Sequence, residues 1–402
     1  MKKNKIKVNF FLNTFLFGGI EKVILQYLKN LDHDVFDIHL IVGLNMGRAQ
    51  VLIDQVPKAI KINYLVNLSF INKYKIKKVV TNQKLNICEK IIDSIIMRPL
   101  CSLLYKVNMS KIWRQADVLI DFGFSDKIYK ANIPIISFMH FNLSSYLNWN
   151  ENINSKKYKD FKTRLISRNQ IIVINNDMKE EVIEKFPEVQ DKLQVIYNPF
   201  DLDSILSIAS VKVSDAIEIE DYILTVCRLE ENQKDVTTLI KAFKLLVSGY
   251  DYKGKLVIVG DGSSKNDLIK LSIELNIDSK VIFLGAQLNP YCFMKKARVF
   301  VLSSKFEGFG NVIVEAMAVG VPVVATDCPV GPNEILQNGE CGLLFEIGDC
   351  ESLCLQMNSL LTNKDLANQL IENGKTRAKT FELITNVKKL ERVLYECILE
   401  KN

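Results

Sequence analysis

The chain has 402 residues, of which 48% are hydrophobic and 24% charged, and it contains no Pro-, Gly- or Gln-rich tract. That length exceeds the roughly 100–200 residues of one ordinary domain, so the composition predicts two folded domains and excludes a disordered chain. The net charge of +6 combines +12 for residues 1–200 (30 Lys+Arg, 18 Asp+Glu) with −6 for residues 201–402 (22 and 28). No recognised nucleic-acid-binding motif accompanies the basic excess, which argues against a nucleic-acid partner.

Short apolar runs rich in β-formers alternate with longer helical patterns in both halves, which is typical of parallel sheets covered by helices. In the first half the pattern predicts strands at 6–12, 37–43, 117–122, 134–140 and 171–175. In the second half it predicts strands at 222–227, 255–260, 281–285, 299–303 and 321–326, each followed by a helix. Residues 192–205 run from a further strand into Asn198-Pro199, a turn signal that indicates the linker between the two domains.

The N-terminus and the cysteines bear on the cellular compartment. A basic stretch precedes apolar residues in MKKNKIKVNFFLNTFLFGG, but Asn9, Asn13 and Thr14 interrupt the apolar part, so we expect no signal peptide. The nine cysteines are irregularly spaced without a Cys-x-x-Cys pair, which indicates a reducing compartment. Cys350 and Cys354 lie one helical turn apart, a spacing that favours core packing over metal ligation. No run approaches the roughly 20 apolar residues that span a bilayer, so we expect a cytoplasmic protein, soluble or peripheral.

A basic segment runs from Lys73 to Arg114 in the first half. Apolar residues are interleaved there, as in IIDSIIMRPLCSLLY, and the acidic residues are Glu89 and Asp93. The ten basic residues are Lys73, Lys75, Lys77, Lys78, Lys84, Lys90, Arg98, Lys106, Lys111 and Arg114. The pattern suits a helix lying on an anionic membrane surface, and it suits a solvated helix with ordinary core contacts equally well.

The densest group of candidate functional residues lies in SSKFEGFGNVIVEAMAVGVPVVATD, residues 303–327. A strand leads here into a glycine-bearing loop and a helix, and ligands of parallel sheets bind beyond the carboxyl ends of the strands. The backbone N–H groups of Gly308, Phe309 and Gly310 are expected to converge on a phosphate at the helix N-terminus. Glu315 is the one charge in NVIVEAMAV. A buried carboxylate needs a partner, which would be either ligand hydroxyls, such as a ribose diol, or a structural Arg or Lys.

Three further candidate positions also follow predicted strands. Arg228 and Lys234 lie in the loop after the first strand of the second half, where two cations would neutralise a diphosphate. Gly19 follows the first strand of the chain, where the lack of a side chain permits close approach to a ligand or simply a tight turn. His140 closes a strand on the side expected to face the cleft, and a packed core histidine is the alternative.

Taken together, these residues resemble the large family of retaining, GT-B-fold glycosyltransferases that build bacterial lipopolysaccharide, capsule and glycan chains. The resemblance spans nearly the whole chain and is strongest over 222–345, in VCRLEENQKD, VIVGDGSS, VIFLGA, the 303–327 segment and GPNEILQNGECGLLF. It is weaker over 1–198, in FLFGGIEKV and around His140, and an alanine commonly follows the paired glycines where this chain has Ile20. It implies an α/β fold of the GT-B type, with two Rossmann-like domains whose parallel sheets face each other across a cleft.

The resemblance also implies what each domain does. Residues 1–198 would bind the acceptor, with the helix at 386–400 packing back on them, and residues 199–385 would bind a nucleotide-sugar donor.

Roles carry over to individual residues of the C-terminal domain. Glu315 would bind the donor ribose, and Arg228 and Lys234 would hold the diphosphate. Glu307, eight positions before Glu315, would contact or orient the transferring sugar, and Asn311 would lie where the loop-to-helix backbone meets phosphate.

From the N-terminal domain, Gly19 would approach the diphosphate and His140 would touch the donor sugar. The implied reaction needs neither a metal nor a covalent cofactor, because the two cations and the helix dipole would stabilise the leaving nucleotide diphosphate. For retention, the acceptor would attack from the leaving-group side and a departing phosphate oxygen would take its proton. The implied donor is a UDP-sugar, with a GDP-sugar next. The implied acceptor is a glycan or a polyprenyl-diphosphate-linked molecule, met peripherally at the anionic inner face of the plasma membrane.

Several other readings compete with this one. A nucleotide-sugar 2-epimerase of the same fold would need acid and base carboxylates at the sugar, and a catalytically silent scaffold would bind the nucleotide sugar without turnover. A dehydrogenase is disfavoured because no Gly-x-Gly-x-x-Gly follows the first strand of either half. Asp201 and Asp203 form an Asp-x-Asp pair suited to Mg²⁺, but they lie in the expected hinge rather than at a strand end, so we expect no metal there.

Overall fold

The strands of the protein form two parallel sheets, one from each half of the chain. The computed structural model describes residues 5–16, 18–68, 71, 86–128, 132–147, 155–211 and 219–399. The strands of the first half are β1 Ile6–Leu12, β2 Phe36–Leu44, β3 Lys61–Val66, β4 Val118–Asp121, β5 Ile135–Met139, β6 Gln170–Val173 and β7 Leu193–Val195. Those of the second half are β8 Tyr222–Val226, β9 Lys255–Val259, β10 Val281–Gly285, β11 Val299–Leu302, β12 Val323–Thr326 and β13 Leu343–Phe345.

Helices connect these strands. In the first half they are α1 Gly19–Asn30, α2 Ile87–Ile92, α3 Arg98–Trp113, α4 Leu143–Leu147, α5 Lys156–Ser167 and α6 Asn176–Lys185, with a π-helical turn at Asp93–Met97 between α2 and α3. In the second half they are α7 Leu202–Ala209, α8 Glu231–Lys234, α9 Val236–Gly249, α10 Lys265–Glu274, α11 Tyr291–Lys296, α12 Asn311–Val319, α13 Pro332–Ile335, α14 Cys350–Thr362, α15 Lys364–Ala378 and α16 Leu383–Leu399. Single 3₁₀ turns occupy Gly47–Ala49, Ile53–Gln55, Pro187–Lys192, Asp278–Lys280 and Lys379–Phe381.

Both sheets are doubly wound. Within the described residues, the first sheet has the order β3-β2-β1-β4-β5-β6-β7 and the second has the order β10-β9-β8-β11-β12-β13. The strand order therefore reverses between β1 and β4 and between β8 and β11, and crevices for ligands open at such switch points. Alternate residues of β1 face different hydrophobic clusters, since Phe10 packs with α1 and α16 while Phe11 packs with α3. This burial of both faces explains why the strands are nearly continuous apolar runs.

Each strand predicted from the sequence is present to within one or two residues at either end. The strand patterns did not include β3 or β13. The first is an edge strand whose residues Lys61 to Tyr64 are at most half-buried, and the second has three residues. Neither gives a long apolar run, so the periodicity gave no signal for them.

The last helix, α16, crosses back to the first sheet. Its buried residues Leu383, Val387, Leu390, Leu394 and Cys397 are spaced by four and three positions, which places them on one face of the helix. That face packs into the core of the N-terminal domain. At the crossing, the Phe200 N–H donates to the Phe381 carbonyl and the Leu383 N–H donates to the Phe200 carbonyl, each at 2.9 Å. The two segments that join the domains thus run side by side.

The Asp-x-Asp pair of the hinge caps a helix. The Asp201 carboxylate accepts a hydrogen bond from the Ser204 N–H at 2.9 Å and so caps the N-terminus of α7. Asp201 thus has a structural role at the start of α7.

The basic segment is described from residue 86 onward, and the predictions for Lys73, Lys75, Lys77, Lys78 and Lys84 lie outside the described residues. From there it forms α2, the π turn and α3. A buried stripe at every fourth position attaches it to the N-terminal domain; the stripe is Asp93, Met97, Cys101, Tyr105 and Met109. Within the described residues, no helix combines the length and the apolar character needed to cross a membrane.

Candidate active site

Glu307 and Lys234 form an ion pair at the edge of the second sheet where its strands end. Glu307 lies in the loop after β11 and Lys234 ends α8, and the Nζ–Oε1 distance is 2.5 Å. The Ser304 hydroxyl donates to the same carboxylate oxygen at 2.5 Å. Both charged side chains are largely buried, and the Lys305 N–H ties the two loops together by donating to the Gln233 carbonyl at 2.8 Å. An anion that reaches Lys234 would therefore share this cation with Glu307.

Glu315 is buried in α12 with 5% of its surface exposed. The Tyr291 hydroxyl donates to Glu315 Oε1 at 3.2 Å, and Lys22 Nζ, from α1 of the opposite domain, lies 3.8 Å from the same oxygen. Burial raises the pKa of Glu315, and Lys22 and then Tyr291 oppose that rise. The expected partner of this carboxylate is thus in part a structural cation, which comes from across the cleft.

Arg228 is exposed and faces the first turn of α1. Its Nη2 donates to Gln233 Oε1 at 3.2 Å. On α1, Glu21 accepts the Leu16 N–H at 3.1 Å. Burial raises the pKa of Glu21, while backbone hydrogen bonds and the positive charge of Arg228 lower it. The guanidinium therefore lies at the cleft, free of the tight ion pairing that engages Lys234.

Gly308 lies against the end of β5 in the opposite domain. A Cβ built on Gly308 would lie 2.2 Å from the His140 carbonyl oxygen. The Gly308 carbonyl accepts a hydrogen bond from Asn175 Nδ2 at 2.7 Å, and the Asn175 Oδ1 caps α6 by accepting the Met178 N–H at 2.7 Å. The loop after β11 is therefore seated on the ends of β5 and β6.

His140 is packed against aromatic rings at this contact. Its ring centroid lies 4.7 Å from that of Phe122, and it stacks on Phe138 at 5.6 Å. The side chain as a whole is half-buried, but Nε2 is fully buried and has no hydrogen-bond partner among the described residues. Burial lowers the pKa of His140 to about 3, so the ring is neutral at physiological pH. The ring therefore packs as a core residue, which is the alternative that the sequence left open, and its contact with a donor sugar stays a prediction.

The N-terminus of α12 is formed by Gly310 and Asn311. Gly310 has a φ of +99°, a left-handed conformation that glycine adopts without strain. The Asn311 side chain accepts a hydrogen bond from Asn198 Nδ2 at 2.8 Å, and a Cβ on Gly19 would lie 3.2 Å from Asn311 Nδ2. The Phe309 ring is buried in an aromatic cluster with Tyr197, Phe200 and Phe381. The two predicted glycine-bearing loops thus meet at Asn311.

Glu334 of α13 joins the domains at a point that the sequence reasoning missed. Its carboxylate accepts the N–H groups of Asn176 and Asp177 at 2.7 and 3.1 Å and so caps the N-terminus of α6. The Asn176 side chain and the Tyr197 hydroxyl also donate to it, at 2.7 and 2.6 Å. This carboxylate is a clamp between the N-terminal and C-terminal domains.

A cavity of about 590 Å³ lies beside this clamp and contains none of the predicted site residues. Asp177, Asp327, Glu334 and Glu340 are among the residues that line it. Four carboxylates disfavour a diphosphate, so the donor is better assigned to the cleft around Arg228 and α12. In the described part of the chain, this cavity included, no group of three or more His, Cys, Asp or Glu side chains is arranged to hold a metal ion.

Sequence reasoning also missed Lys22 and Tyr291. Lys22 lies three positions after Gly19 and so one helical turn further along α1, which was a usable signal that it shares the glycine's face. Tyr291 is the first residue of the short helix α11, and its contact with Glu315 depends on how α11 packs on α12. No feature of the local sequence indicated that contact.

Two Rossmann-like domains whose parallel sheets face each other across a cleft define the GT-B class of fold. The structure agrees over nearly its full length with that of Anabaena HepE in complex with UDP and glucose, with a TM-score of 0.74, 18% identity, and coverage of 97% of this chain and 99% of HepE. Residues 208–377 match the family model described as glycosyl transferases group 1. This match covers most of the C-terminal domain.

Two curated relatives align with a longer part of the chain than the family model does. The chain is 34% identical over 235 residues to the Campylobacter jejuni N-acetylgalactosamine-N,N'-diacetylbacillosaminyl-diphospho-undecaprenol 4-alpha-N-acetylgalactosaminyltransferase, which covers 58% of this chain and 62% of that protein. It is 26% identical over 238 residues to the lipopolysaccharide 1,6-galactosyltransferase of Escherichia coli, covering 58% of this chain and 60% of the relative. The aligned region is thus less than two thirds of either relative.

Proposed function

We propose that the protein is a retaining glycosyltransferase that moves a sugar from a nucleotide diphosphate sugar, a UDP-sugar before a GDP-sugar, to a lipid-linked or glycan acceptor. The observation that carries this proposal is the convergence in one cleft of an exposed Arg228, the N-terminus of α12 and the buried Glu315. A cation and a helix N-terminus suit a diphosphate, and a buried carboxylate suits a ribose diol. The presence of UDP in the related HepE structure supports the choice of nucleotide.

The proposed reaction needs no metal. The bond between the sugar C1 and the diphosphate oxygen breaks while a bond from C1 to the acceptor oxygen forms on the same face, and the acceptor proton passes to a phosphate oxygen. Arg228, Lys234 and the dipole of α12 stabilise the negative charge that develops on the leaving diphosphate. Glu307 orients the sugar from the loop that it shares with Gly308, and the neutral His140 contacts the sugar from the end of β5.

The acceptor is proposed to be carried on a polyprenyl diphosphate, as the name of the Campylobacter relative says of its own acceptor. Such a lipid places the reaction at the cytoplasmic face of an anionic membrane. The outer side of α2 and α3 supports this, because it exposes apolar side chains between basic ones. The most exposed are Ile87 (76%), Ile95 (68%), Leu103 (59%), Ile96 (54%) and Ile91 (51%). Lys90, Arg98, Lys106, Lys111 and Arg114 are exposed on the same helices and would pair with anionic headgroups.

Membrane contact is tested by co-sedimentation with vesicles that contain anionic phospholipid. We expect the double change Ile91→Asp and Ile95→Asp to lower the bound fraction at least about tenfold, since each buried isoleucine contributes roughly 1.5–3 kcal/mol. Ile273→Asp, at a position on α10 that is 55% exposed, is the matched control and should leave binding unchanged. Equal binding by the wild type, the double variant and the control would indicate that α2 and α3 face solvent rather than a membrane.

Donor chemistry is tested with a panel of UDP- and GDP-sugars, by calorimetry and by the slow release of nucleotide diphosphate. We expect one donor to bind and release its nucleotide, and both Glu315→Gln and Arg228→Gln to weaken binding about tenfold or more. Arg298→Gln is the matched control, because Arg298 is a half-exposed arginine that pairs with Asp221 just before β8, at the opposite edge of the same sheet. Binding without turnover would indicate a silent scaffold, and an epimerised donor would indicate the epimerase. No binding by the wild type would refute the proposal.

A further inference from the structure

The first turn of α1 lies beside three residues that the proposed function places around the donor. Gly19 adjoins Asn311, Glu21 is within electrostatic range of Arg228, and Lys22 approaches Glu315. These neighbours meet four consecutive residues of one domain and lie at three separate points of the other. The start of α1 therefore reaches the whole proposed nucleotide side of the cleft rather than the diphosphate position alone.

Lys22 holds a particular position within this set. Its ammonium group lies 3.8 Å from Glu315 Oε1 and 5.6 Å from the centroid of the Tyr291 ring, the ring whose hydroxyl donates to the same oxygen. At 3.8 Å the attraction is electrostatic and falls outside hydrogen-bond distance. A carboxylate has about four lone-pair sites, and the Tyr291 bond uses one of them. Glu315 is therefore charge-balanced by Lys22 while it retains capacity for two hydroxyl donors.

We propose that Lys22 is a positioning residue of the donor site, whose ammonium group orients and neutralises the buried Glu315 carboxylate and so couples ribose recognition to closure of the two domains. The inference rests on the proposed function, because it takes Glu315 as the ribose-binding residue. Its physical basis is that a carboxylate with 5% exposure requires a nearby cation to remain charged. In this protein that cation belongs to the opposite domain, so an open cleft would leave Glu315 uncompensated and a poorer hydrogen-bond acceptor.

A loss of Lys22 has a signature that a purely structural role would not produce. Among the described residues, the titratable groups that act on Glu315 are the charged Lys22 ammonium from α1 and the neutral Tyr291 phenol from α11. Burial already raises the pKa of Glu315 and Lys22 lowers it. Without the ammonium group, the carboxylate would take up a proton at a higher pH, and the charge-assisted bonds to ribose would be lost as the pH falls.

The test measures calorimetric binding of UDP and GDP between pH 5.5 and pH 8, with melting temperatures to verify folding. For the nucleotide that binds the wild type, we expect Lys22→Met to weaken binding about tenfold at pH 6 and by a smaller factor at pH 8. Lys22→Arg should restore binding to within about threefold of the wild type. Lys29→Met, in the last turn of the same helix and exposed, is the matched control and should bind as the wild type does. On a Glu315→Gln background, Lys22→Met should have no further effect.

Two outcomes overturn the inference and can be told apart. If Lys22→Met and Lys29→Met bind equally at every pH while the wild type and Glu315→Gln differ, Glu315 binds the ribose and Lys22 does not position it. If the wild type binds neither nucleotide, the proposed function fails and the role of Lys22 fails with it.

Discussion

Replacing Gly308 by alanine should separate the contact between the two domains from the chemistry of any single side chain. The added Cβ would lie 2.2 Å from the His140 carbonyl oxygen and 2.9 Å from the carbonyl carbon. The shorter distance is about 1.2 Å inside the 3.4 Å at which ordinary contact begins. Both atoms belong to the backbone at the end of a buried strand, so no side chain can rotate to relieve the overlap. The loop after β11 and the end of β5 must therefore move apart by about 1 Å.

We expect two measurable consequences of this movement. Overpacking of this size costs roughly 1–3 kcal/mol, seen as a lower free energy of unfolding in urea. A displacement near 1 Å in a group that positions substrate lowers turnover by about 100-fold. Gly249→Ala is the matched control, because Gly249 ends α9 and an added Cβ there would have no atom within 4 Å. This change should lower neither the free energy of unfolding nor the turnover. A Gly308→Ala protein that turns over donor within twofold of the wild type would refute the reasoning.

Three further predictions concern buried charge. The pKa of His140 is lowered to about 3 from an ordinary 6.5, so between those pH values the unfolded state binds a proton that the folded state does not. The free energy of unfolding therefore falls as the pH falls. In urea titrations, the wild type should lose about 2 kcal/mol more than His140→Gln between pH 7 and pH 5. Arg168→Met should lower the free energy of unfolding by about 3–5 kcal/mol in chemical denaturation, because it leaves the fully buried Asp121 without its partner at 3.1 Å. As a control, Lys253→Met, which breaks an exposed ion pair with Asp251, should leave the denaturation midpoint unchanged. Glu334→Gln should lower the melting transition by the equivalent of about 1–2 kcal/mol, because it removes the charge that caps α6; an unchanged transition would show that the clamp contributes nothing to stability.

Much of the candidate site was accessible from sequence because its residues are local to strand ends. Parallel strands bring their carboxyl ends to one edge, so a pattern that locates the strands also places Arg228, Glu307 and Gly308 at that edge. Glu315 could be singled out because a lone charge in an apolar helix is expensive unless it has a partner. The roles assigned to these residues stay predictions until donor binding is measured.

Other contacts depended on how the two domains are placed relative to one another. Lys234 was expected to be open to a diphosphate, and the structure shows it paired with Glu307 from a loop that is distant in sequence. The local sequence gave little or no indication of the partners of Lys22, Tyr291 and Glu334, because each of these side chains contacts a residue on another element.

The sequence by itself determined the two parallel sheets and the glycine-bearing loops, because these depend on local periodicity and on backbone conformations that few residues adopt; the hinge near Asn198 stays a prediction. Only the tertiary structure decided which carboxylate meets which cation across the cleft. The hydrophobic periodicity of a segment indicates which face of the helix or strand a side chain occupies. It carries no information about the element that packs against that face. In this protein, the charge balance of the cleft is set at the contact between α1 and α12, whose residues lie almost 300 positions apart in the chain.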